Sequence, residues 1–233
     1  MDIPLLSVKN LRAWYKRGTD VLSGLSVDLG RHETVGLIGL NGAGKTTFLK
    51  ILSGLLSSFA SDGICFNGHP VSLRGDFKTH RYTVFAEDDS FSFFTFREYL
   101  AYVFAAYGKP VPDVSPLVEG FGFSGCTDML LRDLSTGNRK KVYLITGLAL
   151  KPELLLLDEP VNGLDFQSTE FLYQKISEYK NYGSVLFSSH ILESVTLTSD
   201  RVLVLENGWI RQTFEGQICA ADIREALHYE ADR

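Results

Sequence analysis

An α/β fold with a mostly parallel sheet is predicted by three observations. Short apolar runs alternate with amphipathic helical patterns through the last third of the chain. A glycine-bearing loop, residues 39–46, stands between an apolar run and a helical pattern. Two Asn-Gly pairs, Asn67-Gly68 and Asn207-Gly208, divide apolar segments as tight hairpin turns do. Strands that are apolar on both faces and separated by helices form parallel sheets covered on both sides. Ligands of such sheets gather at the carboxyl ends of the strands.

The elements follow in order. Residues 5–10 and 21–29 read as strands with partial apolar alternation, and residues 34–38 as a short apolar strand before glycine. The next helix sets Phe48, Ile51, Leu52 and Leu55 at i, i+3, i+4 and i+7, with Gly54 placed to interrupt or end it. Residues 82–86 read as a strand, and residues 94–150 as mostly helical. Then come a wholly apolar strand at 154–157, a helix at 167–179, and strands at 185–187 and 202–205. The tail, 216–233, reads as a short amphipathic end without a motif.

Composition narrows the function classes. The 233 residues suit one large α/β domain. Apolar content of 45% and charged content of 22% exclude disorder, collagen and coiled coil. A net charge of −5 argues against a generic nucleic-acid binder. The longest apolar runs fall far short of the ~18–20 residues that span a bilayer. The start, Met1-Asp2-Ile3-Pro4, has neither the basic nor the apolar region of a secretory leader. Cys65, Cys126 and Cys219 are scattered, which suggests no disulfide framework or metal spacing and suits a reducing cytoplasm.

Residues 39–46, Gly39-Leu40-Asn41-Gly42-Ala43-Gly44-Lys45-Thr46, match G-x-x-x-x-G-K-S/T at every fixed position. The glycines let backbone N–H groups face phosphate oxygens, and the following helix turns its N-terminus to the same anion. Lys45 is placed to reach the β- and γ-phosphates, and the Thr46 hydroxyl to bind Mg²⁺. Asp158 and Glu159 follow the apolar strand 154–157. A phosphate-loop enzyme needs a carboxylate there for Mg²⁺ and a group to orient or deprotonate the attacking water. Asp158 fits the first task and Glu159 the second. His190 ends the strand that includes Ser188 and Ser189, where it can contact the γ-phosphate; His32, His69, His80 and His228 take a structural reading.

Leu134-Ser135-Thr136-Gly137-Asn138 precedes another helix, with Ser135 as its natural N-cap. Arg139, Lys140 and Lys141 crowd the first turn of that helix, where the dipole disfavours cations by about 0.3–1 kcal/mol each. Either an anion sits there or the segment is a basic solvated face.

These residues resemble the ATP-binding subunit of ABC transporters over nearly the whole chain. Residues 39–46 look like Walker A and 154–158 like Walker B, with the family's catalytic glutamate at Glu159. Residues 134–138 resemble the LSGGQ signature, 162–165 the D-loop, and His190 the switch histidine. Tyr15 sits where the family stacks an aromatic on adenine, with Trp14 the alternative one register away. The resemblance implies a phosphate-loop NTPase core with a mostly parallel sheet, an N-terminal antiparallel β-subdomain and an inserted helical subdomain at about 94–142, all in a single domain spanning 1–233. It implies ATP contacts from Tyr15, Gly39, Asn41, Gly42, Ala43, Gly44, Lys45, Thr46, Thr47, Ser135 and Gly137, and Mg²⁺ contacts from Thr46, Glu87 and Asp158. It also implies a head-to-tail homodimer or heterodimer with ATP between subunits, Ser135 and Gly137 serving the opposite site.

The signature here reads LSTGN, the expected Q-loop glutamine is Glu87, and Val161 replaces a frequent threonine. Ser135 and Gly137, which carry the family's phosphate contacts, are kept. A chain without a spanning helix implies a separate membrane permease, with this subunit peripheral on the cytoplasmic face and no nucleic-acid partner. Residues 95–100 and 158–165 look most like the exporter-type branch. An iron–sulfur assembly ATPase is the alternative of similar size. The stretch Phe91-Ser92-Phe93-Phe94-Thr95-Phe96, near Tyr99, Tyr102, Phe104 and Tyr107, reads either as core packing or as a groove for the permease.

Overall fold

The computed structural model describes residues 3–216 and 218–228. The chain runs β1 (Leu6–Lys16), β2 (Thr19–Leu29), β3 (Thr34–Ile38), α1 (Lys45–Leu52), β4 (Phe59–Ala60), β5 (Gly63–Phe66), β6 (His69–Pro70) and β7 (Arg81–Val84). It continues with α2 (Phe96–Ala106), α3 (Ser115–Gly120), α4 (Thr136–Leu150), β8 (Leu154–Asp158), α5 (Phe166–Glu178), β9 (Ser184–Ser189) and α6 (Leu192–Thr198). The last elements are β10 (Arg201–Glu206), β11 (Trp209–Glu215) and α7 (Ala220–His228).

Two sheets form. β1, β2, β4, β5 and β6 make a five-stranded sheet whose pairings are all antiparallel. The other sheet has six strands in the order β11-β10-β3-β9-β8-β7, parallel except at the β10–β11 edge. The expected α/β class, with a mostly parallel sheet and an N-terminal antiparallel one, is observed. The apolar run of β8 has a direct cause in this layering. Leu154 and Leu156 enter the core shared with β1, β2 and α1, whereas Leu155 and Leu157 enter the core beneath α2, α4 and α5. A strand buried on both faces has no polar face to alternate with.

Both Asn-Gly turns form. Phe66 pairs with His69 and Glu206 with Trp209 around them. Asn67 and Gly68 have φ of 53° and 79°, and Asn207 and Gly208 have 49° and 84°, the double positive φ of a type I′ hairpin. Elsewhere the structure corrects the reading. β1 and β2 are longer than expected and meet at an Arg17-Gly18 turn, with Gly18 at φ 86°. α1 stops at Leu52, Gly54 adopts φ 75°, and Leu55 lies outside the helix and exposed. β7 ends at Val84, two residues short. α6 and β11 carry weak apolar signals, because α6 buries only Ser194, Val195 and Thr198 and β11 is a partly exposed edge.

His32 Nδ1 lies 2.6 Å from the Lys180 carbonyl and His80 Nδ1 lies 2.6 Å from Glu153 Oε1, both structural contacts. The His228 side chain and residues 229–233 of the tail lie outside the described residues. Among the described residues, no helix is long and apolar enough to cross a membrane.

Candidate functional site

β3 lies between β9 and β10 at the centre of the parallel sheet and is buried throughout. The chain leaves its carboxyl end as the loop 39–46 and enters α1 through Gly44, whose φ of 108° is the left-handed N-cap conformation. Gly42 also needs positive φ, at 86°. Gly39 is required for a different reason. A Cβ there would stand 2.3 Å from the Leu205 carbonyl oxygen, so only a hydrogen fits between loop and β10. The Lys45 ammonium curls back to donate to the Gly39 carbonyl at 2.7 Å and the Leu40 carbonyl at 3.3 Å.

A cleft of about 590 Å³ opens over this loop, lined by Tyr15, Val21, Asn41, Gly42, Ala43, Gly44, Lys45, Thr46, Thr47, Glu159, Asn162 and His190. Tyr15 stands at its rim, exposed, with its hydroxyl 3.3 Å from Thr47 Oγ1. β8 and β9, paired in parallel, bring the carboxylates and His190 to the same end of the sheet. Thr46 Oγ1 donates to Asp158, 2.9 Å from Oδ2 and 3.1 Å from Oδ1. The Ser188 hydroxyl donates to Asp158 Oδ1 at 2.6 Å. The Glu159 carboxylate accepts from His190, with Nδ1 at 2.7 Å and the backbone N–H at 3.3 Å, and its other oxygen is 3.9 Å from Lys45 Nζ. Burial depresses the Lys45 pKa, while Glu159 and Asp158 act to keep it charged. The donor set of Thr46 and Asp158 is all oxygen, as a hard divalent cation requires.

Gly39 and Asp158 do not line this cleft but bond to Lys45 and Thr46, which do, whereas Glu87, Ser135 and Gly137 stand apart from it. Glu87, in the loop after β7, lines neighbouring clefts with Asp88 and Asp89. Ser135 and Gly137 lie at the start of α4. Ser135 is the N-cap expected of it, its Oγ accepting the Asn138 N–H at 3.2 Å. Gly137 packs so closely on the 162–165 loop that an added Cβ would lie 2.2 Å from the Gly163 carbonyl oxygen.

The cations after Gly137 have partners within the chain, which corrects both readings of them. Arg139 pairs with Asp89 at 3.0 Å. Lys140, buried, donates to the carbonyls of Glu159 at 3.0 Å and Asn162 at 2.8 Å. Lys141, also buried, donates to Asp165 Oδ2 at 2.7 Å. Neither buried lysine is a solvated face or requires an external anion. Burial lowers the Lys140 pKa, opposed by Asp158, Glu159 and Glu87. Asp165, hydrogen-bonded by Lys141 and the Ser168 N–H, is held well below the usual carboxylate range. Sequence reasoning missed the roles of Ser188, Lys140 and Asn162. Ser188 carried one usable signal, a hydroxyl directly after the apolar run Val185-Leu186-Phe187 and two residues before His190.

Comparison with known proteins gives the family. The family model described as "ABC transporter" matches residues 22–162. The chain is 37% identical over 218 residues to the protein AlbC of Bacillus subtilis (strain 168), covering 89% of this chain and 90% of that one. It is 33% identical over 202 residues to the Nod factor export ATP-binding protein I of Burkholderia orbicola (strain AU 1054), covering 84% of this chain and 66% of that one. A solved ATP-binding subunit of an ABC transporter superposes with a TM-score of 0.82 at 28% identity, covering 95% of this chain and 92% of that one.

Proposed function

Because this chain belongs to the ABC transporter family of ATP-binding ATPases, we propose that it hydrolyses ATP in the phosphate-loop cleft to power a separate membrane permease for export. The observation that carries this reading is the convergence of Lys45, Thr46, Asp158, Glu159 and His190 on one cleft. The α1 N-terminus and loop amides bind the phosphates, Lys45 neutralises their charge, and Tyr15 stacks on adenine. Thr46 and Asp158 would hold Mg²⁺, which would neutralise charge on the phosphates, and Glu87 would be a further oxygen ligand. Glu159 orients and deprotonates the attacking water, and His190 fixes the Glu159 carboxylate and meets the γ-phosphate. Water adds to the γ-phosphorus, the bond to the β–γ bridging oxygen breaks, and ADP leaves with that electron pair.

Ser135 and Gly137 belong to the opposite site of a head-to-tail homodimer or heterodimer. Their position at the start of α4, away from the cleft lining, supports this. Export is supported by the exporter-like wording of residues 95–100 and by the export role in the name of the Burkholderia relative. The unit is a single domain over 1–233, with the helical subdomain at about 94–142, peripheral on the cytoplasmic face through its permease. A net charge of −5 supports the absence of a nucleic-acid partner.

The aromatic stretch divides between its two readings. Phe96, Tyr99 and Phe104 are core. Phe93 is 73% exposed beneath the Arg132 guanidinium, and Tyr102 is exposed against Phe91 and Phe94. Phe93 and Tyr102 are the rings available to a permease. The test of the whole reading is Glu159→Gln. Phosphate release is expected to slow by orders of magnitude, with an ATP-bound dimer seen by size-exclusion chromatography. Wild-type turnover in that variant would remove Glu159 from catalysis.

A further inference from the structure

Among the described cleft residues, Glu159 alone pairs a large side chain with left-handed backbone, at φ 47°. Such a conformation is strained outside glycine and persists where the surroundings over-determine it. Two side chains grip the peptide groups on either side. The Glu159 N–H donates to Ser188 Oγ at 3.0 Å, and that hydroxyl in turn donates a hydrogen bond to Asp158 Oδ1 at 2.6 Å. The Asn162 N–H closes the turn from 159 to 162 on the Glu159 carbonyl at 3.2 Å, and Lys140 Nζ braces it, donating to that same carbonyl at 3.0 Å and to the Asn162 carbonyl at 2.8 Å. Ser188 is 0% exposed and Lys140 3%. Neither lines the phosphate-loop cleft.

We infer that Lys140 and Ser188 are positioning residues for ATP hydrolysis, holding Glu159 in the left-handed turn that aims its carboxylate at His190 and the phosphate loop. The inference rests on the role proposed above for Glu159. Without the ammonium, the Asn162 N–H alone holds the Glu159 carbonyl, too little to keep the strained φ, and the carboxylate swings away from His190 Nδ1. A buried ammonium is costly unless its donors are used, and here two of them go to main-chain oxygens of one turn. Lys140 also ties that turn to α4, so the helix and the catalytic turn are joined by hydrogen bonds as well as by the Gly137–Gly163 packing.

The experiment uses the full chain with Lys140→Met and Ser188→Ala, each alone and each combined with Glu159→Gln. Affinity is read from equilibrium binding of a fluorescent ATP analogue, and chemistry from single-turnover phosphate release at saturating Mg²⁺ and ATP. Each single variant is expected to lose about 100-fold in hydrolysis rate with affinity unchanged, the cost of a misplaced catalytic group. On the Glu159→Gln background the same changes are expected to cost almost nothing further, because they act through the group already removed. Losses that multiply in full on that background, affinity that falls in step with rate, or wild-type rates in the single variants would each overturn the inference. Should Lys140→Met fail to fold, as read by circular dichroism, Lys140→Gln, which keeps an N–H donor, takes its place and Ser188→Ala carries the same comparison. A slow Glu159→Gln with a fast Lys140→Met sinks this inference alone; a fast Glu159→Gln sinks the underlying reading with it.

Discussion

At the scale of single residues, the site depends on close approach as much as on charge. Gly39 and Gly63 show the contrast. At Gly39 a Cβ would meet the Leu205 carbonyl oxygen at 2.3 Å, and a main-chain oxygen within the sheet cannot rotate away. At Gly63 nothing lies within 4 Å, and its backbone has no positive φ. Gly39→Ala is therefore expected to lose about 1–3 kcal/mol of stability through overpacking. The displaced loop should also weaken nucleotide binding, whereas Gly63→Ala should leave binding unchanged. Chemical denaturation and titration with a fluorescent ATP analogue read both effects. The motif names Gly39, but the reason for it lies 166 residues away in β10.

At the scale of elements, one carboxylate links α5 and the 162–165 loop to α4, beside the Lys140–Asn162 hydrogen bond and the Gly137–Gly163 packing. Asp165 caps α5 by accepting the Ser168 N–H at 2.8 Å, and it pairs with the buried Lys141 at 2.7 Å. Asp165→Ala removes the cap, worth about 1 kcal/mol, and leaves Lys141 buried without that partner, so the loss should exceed the cap alone. The pH dependence has a definite sign. Lys141 and the Ser168 N–H lower the folded-state pKa of Asp165 below its unfolded value near ~3.9. Its contribution is present above that unfolded value and is lost as pH falls through the lower folded one. The wild-type protein should therefore lose more stability than Asp165→Asn on acidification below about pH 4, as read by thermal unfolding across pH. The side chain is 58% exposed, and solvent screening keeps the difference modest.

At the scale of the whole molecule, the proposed permease contact falls on the helical region. Phe93 is exposed there, while its neighbours Phe96, Tyr99 and Phe104 are built into the core. Phe93→Glu should abolish recruitment to permease-containing membranes, measured by co-sedimentation, without changing ATP affinity or the unfolding midpoint. Recruitment that survives the substitution would move the contact elsewhere. The exposed ring makes this a clean test, since a charge at Phe96 would unfold the same region.

How much of this was legible in the sequence depends on the range of the contacts involved. The sequence alone determined the parallel α/β core, the phosphate loop, the carboxylate pair at the end of β8 and both Asn-Gly turns. Each is written in contiguous residues, because backbone conformation and strand burial are set by near neighbours. It overread Leu55, where a positive-φ glycine ends α1, and missed α6 and β11, which bury too little apolar surface to leave a pattern. Only the tertiary structure decided what Arg139, Lys140 and Lys141 do. From composition they are cations at the wrong end of a helix, and their partners Asp89, Asp165 and the carbonyls of Glu159 and Asn162 come from other segments. The same holds for Ser188, 30 residues from Asp158 in sequence and 2.6 Å from it in space. A hydrogen bond between neighbouring strands depends on register, and the pairing of Asp158 with Ser188 is set by how β8 and β9 pack, a property no local pattern encodes.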